Sequence, residues 1–245
     1  MTIVLKNLND LKRSIDIIST FISEGNLRFN DKGLALKAID SSQIILVDFS
    51  IPAKAFDSFV VEPNLVGIDF VELNKIFQRA QPNDVLEIDL SDSDLLIRLK
   101  GDVERNFRLP LIDVQEADNP LPEINFDVEM ELNAKILKES LKDASLFGSS
   151  VVLRVKGNQF IIEARGSQGN LKTVASNSSN VKIKQLQSGK NEVVSKYSLS
   201  FFSNIFKDAD QAQKVLLYLK SDKPVKVDYK IGQASFKFYL AHMIL

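Results

Sequence analysis

Apolar residues at Leu11, Ile15, Ile18 and Ile22 recur at the spacing that lays one stripe along an amphipathic helix. Asn9 or Asp10 stands where an N-cap is wanted. The arrangement returns later in the chain. Residues 137–155 repeat residues 11–29 without a gap at an offset of 126, with eight of nineteen pairs identical, so Leu137, Leu141, Ala144 and Gly148 take the same four places. Strand-like runs follow the helix of each copy. In the first they are NLRF and, past Asn30, Asp31, Lys32 and Gly33, GLALKA; in the second they are VVLRV and, past Gly157 and Asn158, QFIIEA. The pattern predicts a helix leading into a hairpin, twice.

A second correspondence follows, between residues 73–92 and 202–222, at an offset of 129 that rises to 130. Each half therefore carries two short helices with strands between them. Runs such as residues 43–51 and 94–101 alternate as half-buried antiparallel strands do. The fold class read from this is α+β with strands dominant. Residues 110–126 hold three prolines, four acids and no basic residue, which predicts an extended surface connector. The expected organisation is an N-terminal domain over residues 1–113, a connector over 114–125 and a C-terminal domain over 126–245.

Composition narrows the chemistry. With no cysteine and one histidine, His242, the chain makes no disulfide, no cysteine-rich zinc site and no His–Cys dyad. His242 is expected to be structural. No phosphate-cradling glycine loop or nucleophile elbow occurs, and the acidic run at 87–94 lacks the glycine and terminal glutamate of a calcium loop, reading instead as a hairpin turn. We expect a protein that is not an enzyme and that holds no metal and no cofactor. No apolar run is long enough for a membrane span and no signal-peptide order opens the chain, so a soluble intracellular protein is expected.

Charge is segregated beneath a net of −1. Residues 1–113 carry 13 Lys/Arg against 18 Asp/Glu, residues 114–134 none against 6, and residues 135–245 carry 18 against 8, or −5, −6 and +10. Such a basic half either meets an anionic partner or is an uneven surface. Cations sit opposite the apolar stripes of all four expected helices: Lys12 and Arg13, Lys75 and Arg79, Lys135, Lys138 and Lys142, and Lys207. On one helix they read as a solvated face; gathered on one side of the sheets they would suit phosphates, without a base code.

The stretches GLALKAIDSSQIILVDFSIP (33–52) and NLVGIDFVELNKIFQRAQPNDVLEI (64–88), the connector ending LPEINF and the closing PVKVDYKIGQASFKFYLA (224–241) resemble the sliding clamp family of proliferating cell nuclear antigen, in its archaeal form. The resemblance runs through essentially the whole chain. It implies the DNA-clamp fold: two similar domains of antiparallel sheets, each with two short helices, assembled as a trimeric ring around duplex DNA with helices lining the hole. Such a subunit is a DNA polymerase processivity factor, working with sister clamp subunits in a homo- or heterotrimer. DNA polymerase, clamp loader, flap endonuclease and DNA ligase would bind it through short peptide motifs. By matching positions, the peptide pocket would comprise Ile39 and Ile44 from the AIDSSQI strand, Leu121, Pro122 and Phe126, and Pro224, Tyr239, Leu240 and Ala241. The eight cations named above would face DNA, independent of its sequence. The implied location is the nucleoid of an archaeal-type cell, or the nucleus of a eukaryotic one. Departures are the ending His242-Met243-Ile244-Leu245, in place of proline and a basic residue, and Gln78, Leu146 and Asn204 at inner-helix places where cations are common. The alternative readings are a non-encircling DNA-binding processivity factor and a checkpoint-clamp-like scaffold subunit. The strand edges expected to join neighbouring chains are residues 105–109 in one and 171–175 or 181–184 in the next.

Overall fold

A computed structural model describes residues 2–116, 119–187 and 192–245. The chain divides into two compact units. One comprises Met1–Asn119 with Lys230–Phe236, the other Pro120–Tyr229 with Lys237–Leu245. The division falls within the proline-rich stretch, but Lys230–Phe236 groups with the first unit, where sequence reasoning had kept it in the second.

The first unit runs β1 (Thr2–Leu5), α1 (Asn9–Phe21), β2 (Glu24–Asn30), β3 (Gly33–Ile39), β4 (Ile45–Pro52), β5 (Ser58–Val60), β6 (Asn64–Asp69), α2 (Phe70–Gln78), β7 (Val85–Leu90), β8 (Asp94–Lys100) and β9 (Glu104–Pro110). One sheet has the order β5-β1-β7-β8-β9, and β4, β3, β2 and β6 are consecutive neighbours in another, with every pair antiparallel. Period-two patterning explains the strands: in β8, Leu95, Ile97 and Leu99 are buried while Arg98 points outward. Half of the acidic run, residues 87–90, lies within β7, residues 91–93 form the turn, and Asp94 opens β8.

The second unit runs β10 (Val128–Asn133), α3 (Ala134–Ala144), β11 (Ser150–Lys156), β12 (Gln159–Gly166), β13 (Gly169–Ser176), β14 (Val181–Gln185), β15 (Glu192–Ser198), α4 (Leu199–Ile205), β16 (Lys214–Leu219) and β17 (Val225–Ile231), followed by β18 (Ala234–Leu240). Its strand orders are β13-β12-β11-β15 and β14-β10-β16-β17. The two hairpins read from the repeat form as expected. Asn30 faces Gly33 across a two-residue turn, and Lys156 faces Gln159 across Gly157 and Asn158. Gly33 has φ +136, and a Cβ there would lie 2.0 Å from the carbonyl of Ile51.

Four helix boundaries differ from expectation. α1 begins at Asn9 with Leu8 at its N-cap, and Asn7 supplies the polar group, its Oδ1 accepting from Asn9 N at 3.1 Å. Ile22 and Gly148 lie just past their helices, although Ile22 is still buried. α4 stops at Ile205. Tyr229 donates its hydroxyl hydrogen to the Ile205 carbonyl at 2.5 Å, and Ala209 N turns to Phe206 O instead. Lys207 is therefore beyond the fourth helix, whose sequence LSFFSNI contains no cation.

The start of the connector is strapped to the first unit. Ile112 N donates to Gly67 O at 3.1 Å, Asn26 Nδ2 to Val114 O at 3.0 Å, and Arg28 pairs with Glu116 at 2.9 Å. A Cβ on Gly67 would stand 2.0 Å from the Ile112 carbonyl oxygen, so the crossing requires glycine. Gly67→Ala should cost about 1–3 kcal/mol through this overlap. Thermal unfolding checks it, with a melting temperature lowered by about 2–4 °C per kcal/mol as the expected reading. An unchanged value would mean that the strap is not held there.

Candidate nucleic-acid interface

Within the first unit, α1 packs on α2. Each buries its apolar stripe, Leu11, Ile15 and Ile18 on one and Phe70, Leu73 and Phe77 on the other, so their polar residues are left together. Those residues are already cross-linked. Asp16 accepts from Asn74 Nδ2 at 2.9 Å and from Gln78 Nε2 at 3.5 Å, and Gln78 donates to Asn74 Oδ1 at 3.1 Å. Gln78, where a cation is common in the resembling family, thus serves as a polar tie between helices.

The expected cations fall into distinct groups. Lys75 is exposed on α2 and pairs with Glu72 at 2.5 Å; the hydrogen bond and charge of that carboxylate raise its pKa and keep it cationic. In the second unit, Lys135 and Lys142 are exposed on α3, with Lys142 pairing with Glu139 at 3.0 Å. Exposed pairs of this kind are weak and salt-screened, so a phosphate can compete for the lysine. Arg13 is half-buried on α1. Arg79 is the exposed C-cap of α2, and its carbonyl accepts from Arg105 Nη1 at 2.7 Å. Arg105 also forms an ion pair with the buried Asp84, tying β9 to the end of α2.

Lys12 and Lys138 behave differently from the exposed lysines. Both are half-buried, and both turn their ammonium groups onto backbone carbonyls. Lys12 Nζ lies 3.4 Å from Gln78 O and Ala80 O, and Lys138 Nζ lies 3.1 Å from Lys207 O and Ala209 O. Sequence reasoning placed them on a solvated polar face and missed these acceptors. The two repeat offsets were the available signal. Of the other departures, Asn204 is exposed on α4, whereas Leu146 lies beyond α3 in a turn, 71% exposed.

The expected partner residues are divided between the units. In the first, Ile39 ends β3 and Ile44 lies in the turn before β4, so AIDSSQI is a strand only as far as Ile39 and residues 40–44 are a hairpin corner. The buried Asp40 builds that corner, its carboxylate accepting from Ser42 N, Ile44 N and Ile45 N at 3.1, 2.6 and 2.8 Å. This satisfies three backbone donors and leaves Ile39 39% exposed.

In the second unit Leu121, Pro122, Phe126, Pro224 and Ala241 are half-buried, and Tyr239 is 8% exposed. The side chain of Leu240 is fully buried, which leaves it in the core with only its backbone to offer. Phe126 packs on Tyr218 with ring centroids 5.7 Å apart, and Lys226 Nζ sits 4.3 Å above the Tyr218 ring while pairing with Asp228 at 2.8 Å. Burial, then the charges of Asp228 and Glu129, push the Tyr218 hydroxyl pKa up, so it remains a donor. Sequence reasoning overlooked Tyr218 because one outward tyrosine in an alternating strand carries no distinguishing pattern. His242 is exposed.

Among the described residues no cluster of three or more His, Asp or Glu is arranged to hold a metal ion, and no helix is long and apolar enough to cross a membrane.

A family model for the proliferating cell nuclear antigen N-terminal domain matches residues 2–129, and one for its C-terminal domain matches residues 120–244. The DNA polymerase sliding clamp of Pyrococcus furiosus is 29% identical over 244 residues, covering 98% of this chain and 96% of its own. DNA polymerase sliding clamp 1 of Thermococcus kodakarensis is 31% identical over 242 residues, covering 94% of each chain. The solved structure of the nuclear antigen from Thermococcus kodakaraensis superposes with a TM-score of 0.91 over 99% of both chains, a likeness of fold at 22% identity. Matched by both family models from residue 2 to residue 244, the chain belongs to the proliferating cell nuclear antigen family of DNA sliding clamps.

Proposed function

We propose that this chain is one subunit of a trimeric ring that encloses duplex DNA and tethers replication and repair enzymes to it. The observation that carries the reading is the internal repetition: two units, each with a pair of packed helices beside antiparallel sheets, in a chain of this family. A closed ring of near-equivalent units needs one module many times, and a chain that carries it twice needs few copies. Enclosure keeps the protein on DNA without tight binding. Exposed lysines offer a weak, sequence-blind attraction to phosphates, which permits sliding. The protein acts as a tether and not as a catalyst. Client enzymes dock through short peptides on the apolar residues Leu121, Pro122, Phe126 and Pro224, and the protein works at the nucleoid.

The test of the DNA face is Lys75→Ala with Lys135→Ala and Lys142→Ala. These positions are exposed, so the fold should be retained. The slope of log affinity for duplex DNA against log salt should flatten by about 0.9 for each phosphate that is no longer neutralised, or roughly two to three units in all. No base preference should appear in either form. A slope equal to the parent's would show these lysines to be a solvated surface only.

A further inference from the structure

The chain's two repeats converge on one arrangement made twice. Lys12 and Lys138 are 126 positions apart, the offset of the first repeat, while their acceptors Gln78 and Ala80 are 129 positions from Lys207 and Ala209, the offset of the second. In each unit the ammonium group leaves the first helix and reaches the chain at the end of the second, bonding two carbonyls two residues apart. Gln78 O is the last carbonyl of α2, without a partner in the helix and at the negative end of its dipole, while Ala80 O, Lys207 O and Ala209 O belong to the turns that follow α2 and α4. In the first unit a third carbonyl of the same end, that of Arg79, is taken by Arg105. Lys75, Lys135 and Lys142, by contrast, are exposed, and among the described residues none of them donates to a backbone carbonyl.

We infer that Lys12 and Lys138 are a matched pair of helix-end clamps, positioning residues that hold the second helix of each unit against the first, and do not bind phosphates. Each clamp sets where the end of its second helix stands: Arg79 at the C-cap of α2, and the turn that carries Lys207 after α4. The inference goes beyond the proposed DNA face by removing two of its eight expected members. With its shorter bonds, Lys138 should be the stronger clamp.

The test is Lys12→Met with Lys138→Met in the full chain, since methionine keeps the apolar stem and removes the ammonium. Amide hydrogen exchange and thermal unfolding are measured without DNA, and binding to a labelled linear duplex is measured across a salt series. The expected result is exchange faster by about fivefold or more at the turns following α2 and α4. It comes with a melting temperature lower by roughly 2–4 °C and a salt slope equal to the parent's. Arginine at both positions, which can also donate to two carbonyls, should restore protection. A slope flatter by about two units overturns the assignment whatever the melting temperature does. Parental exchange at both turns overturns it equally. Should the double variant fail to fold, the two single variants carry the same comparison, with the larger effect expected at Lys138. If the parent shows no salt-dependent binding, the DNA reading fails while the exchange measurement still decides the clamp.

Discussion

Lys172→Glu combined with Val174→Glu should leave the chain folded and break its assembly with other clamp chains. Both residues are exposed on β13, the outer strand of its sheet, while Leu171, Thr173 and Ala175 face inward. β9 is likewise the outer strand of its sheet in the first unit. An unpaired strand edge presents a row of N–H and C=O groups that another chain can complete. Charge favours association between unlike halves, because residues 1–113 carry −5 and residues 135–245 carry +10. Head-to-tail association of this type closes a ring. Lys172 and Val174 give way to two like charges on a strand edge, which hinder another strand from pairing with it, and association weaker by at least about tenfold, or 1.4 kcal/mol, is expected. Sedimentation of parent and variant, each alone and mixed with sister clamp chains, reads this as a fall to the mass of one chain. A variant that assembles as the parent does would place the interface on other strands. A parent that sediments only as a monomer in every mixture would remove the ring altogether.

Leu121→Ala with Phe126→Ala should abolish most client-peptide binding while DNA binding persists. Both side chains are half-buried, so each retains apolar surface for a ligand. Phe126 is oriented by its packing on Tyr218, and the main chain beside it is fixed, since Lys220 Nζ donates to Asn125 O at 2.9 Å. Covering a side chain of this size contributes about 1–2 kcal/mol, below the full burial value because part of the surface is already covered. Against the cost of ordering a peptide, micromolar binding is expected for the parent and affinity lower by about 30-fold or more for the variant. Titration calorimetry with client peptides measures the difference, and the salt slope for duplex DNA should match the parent's. Equal peptide affinity in the two proteins would show that clients dock elsewhere.

Much of the architecture was legible in the order of residues. The stripe at Leu11, Ile15 and Ile18 and the turn at Gly33 are local, as are the alternating strands, and local geometry follows from spacing and backbone preference. Duplication was legible because matching residues need no structure to be compared. Helix ends were harder. The stop at Ile205 depends on the hydroxyl of Tyr229, a residue 24 positions further on, which no local pattern announces. The sequence suggests a strand through AIDSSQI, but residues 40–44 form a corner between β3 and β4. One buried carboxylate, that of Asp40, turns it into a loop.

The candidate site shows the same division. Sequence alone determined which cations the helical segments carry, that an acidic proline-rich stretch separates the halves, and that cysteine chemistry is absent. Tertiary structure decided what each cation does. Lys12 and Lys75 are both lysines on polar helix faces, yet one reaches the carbonyls of Gln78 and Ala80 and the other stands in solvent beside Glu72. The difference arises because a lysine's length lets it serve either role, and the choice depends on whether a helix end from elsewhere in the chain lies within its reach. Periodicity specifies the face on which a side chain emerges; only the packing of α1 on α2, and of α3 on α4, specifies what that face meets.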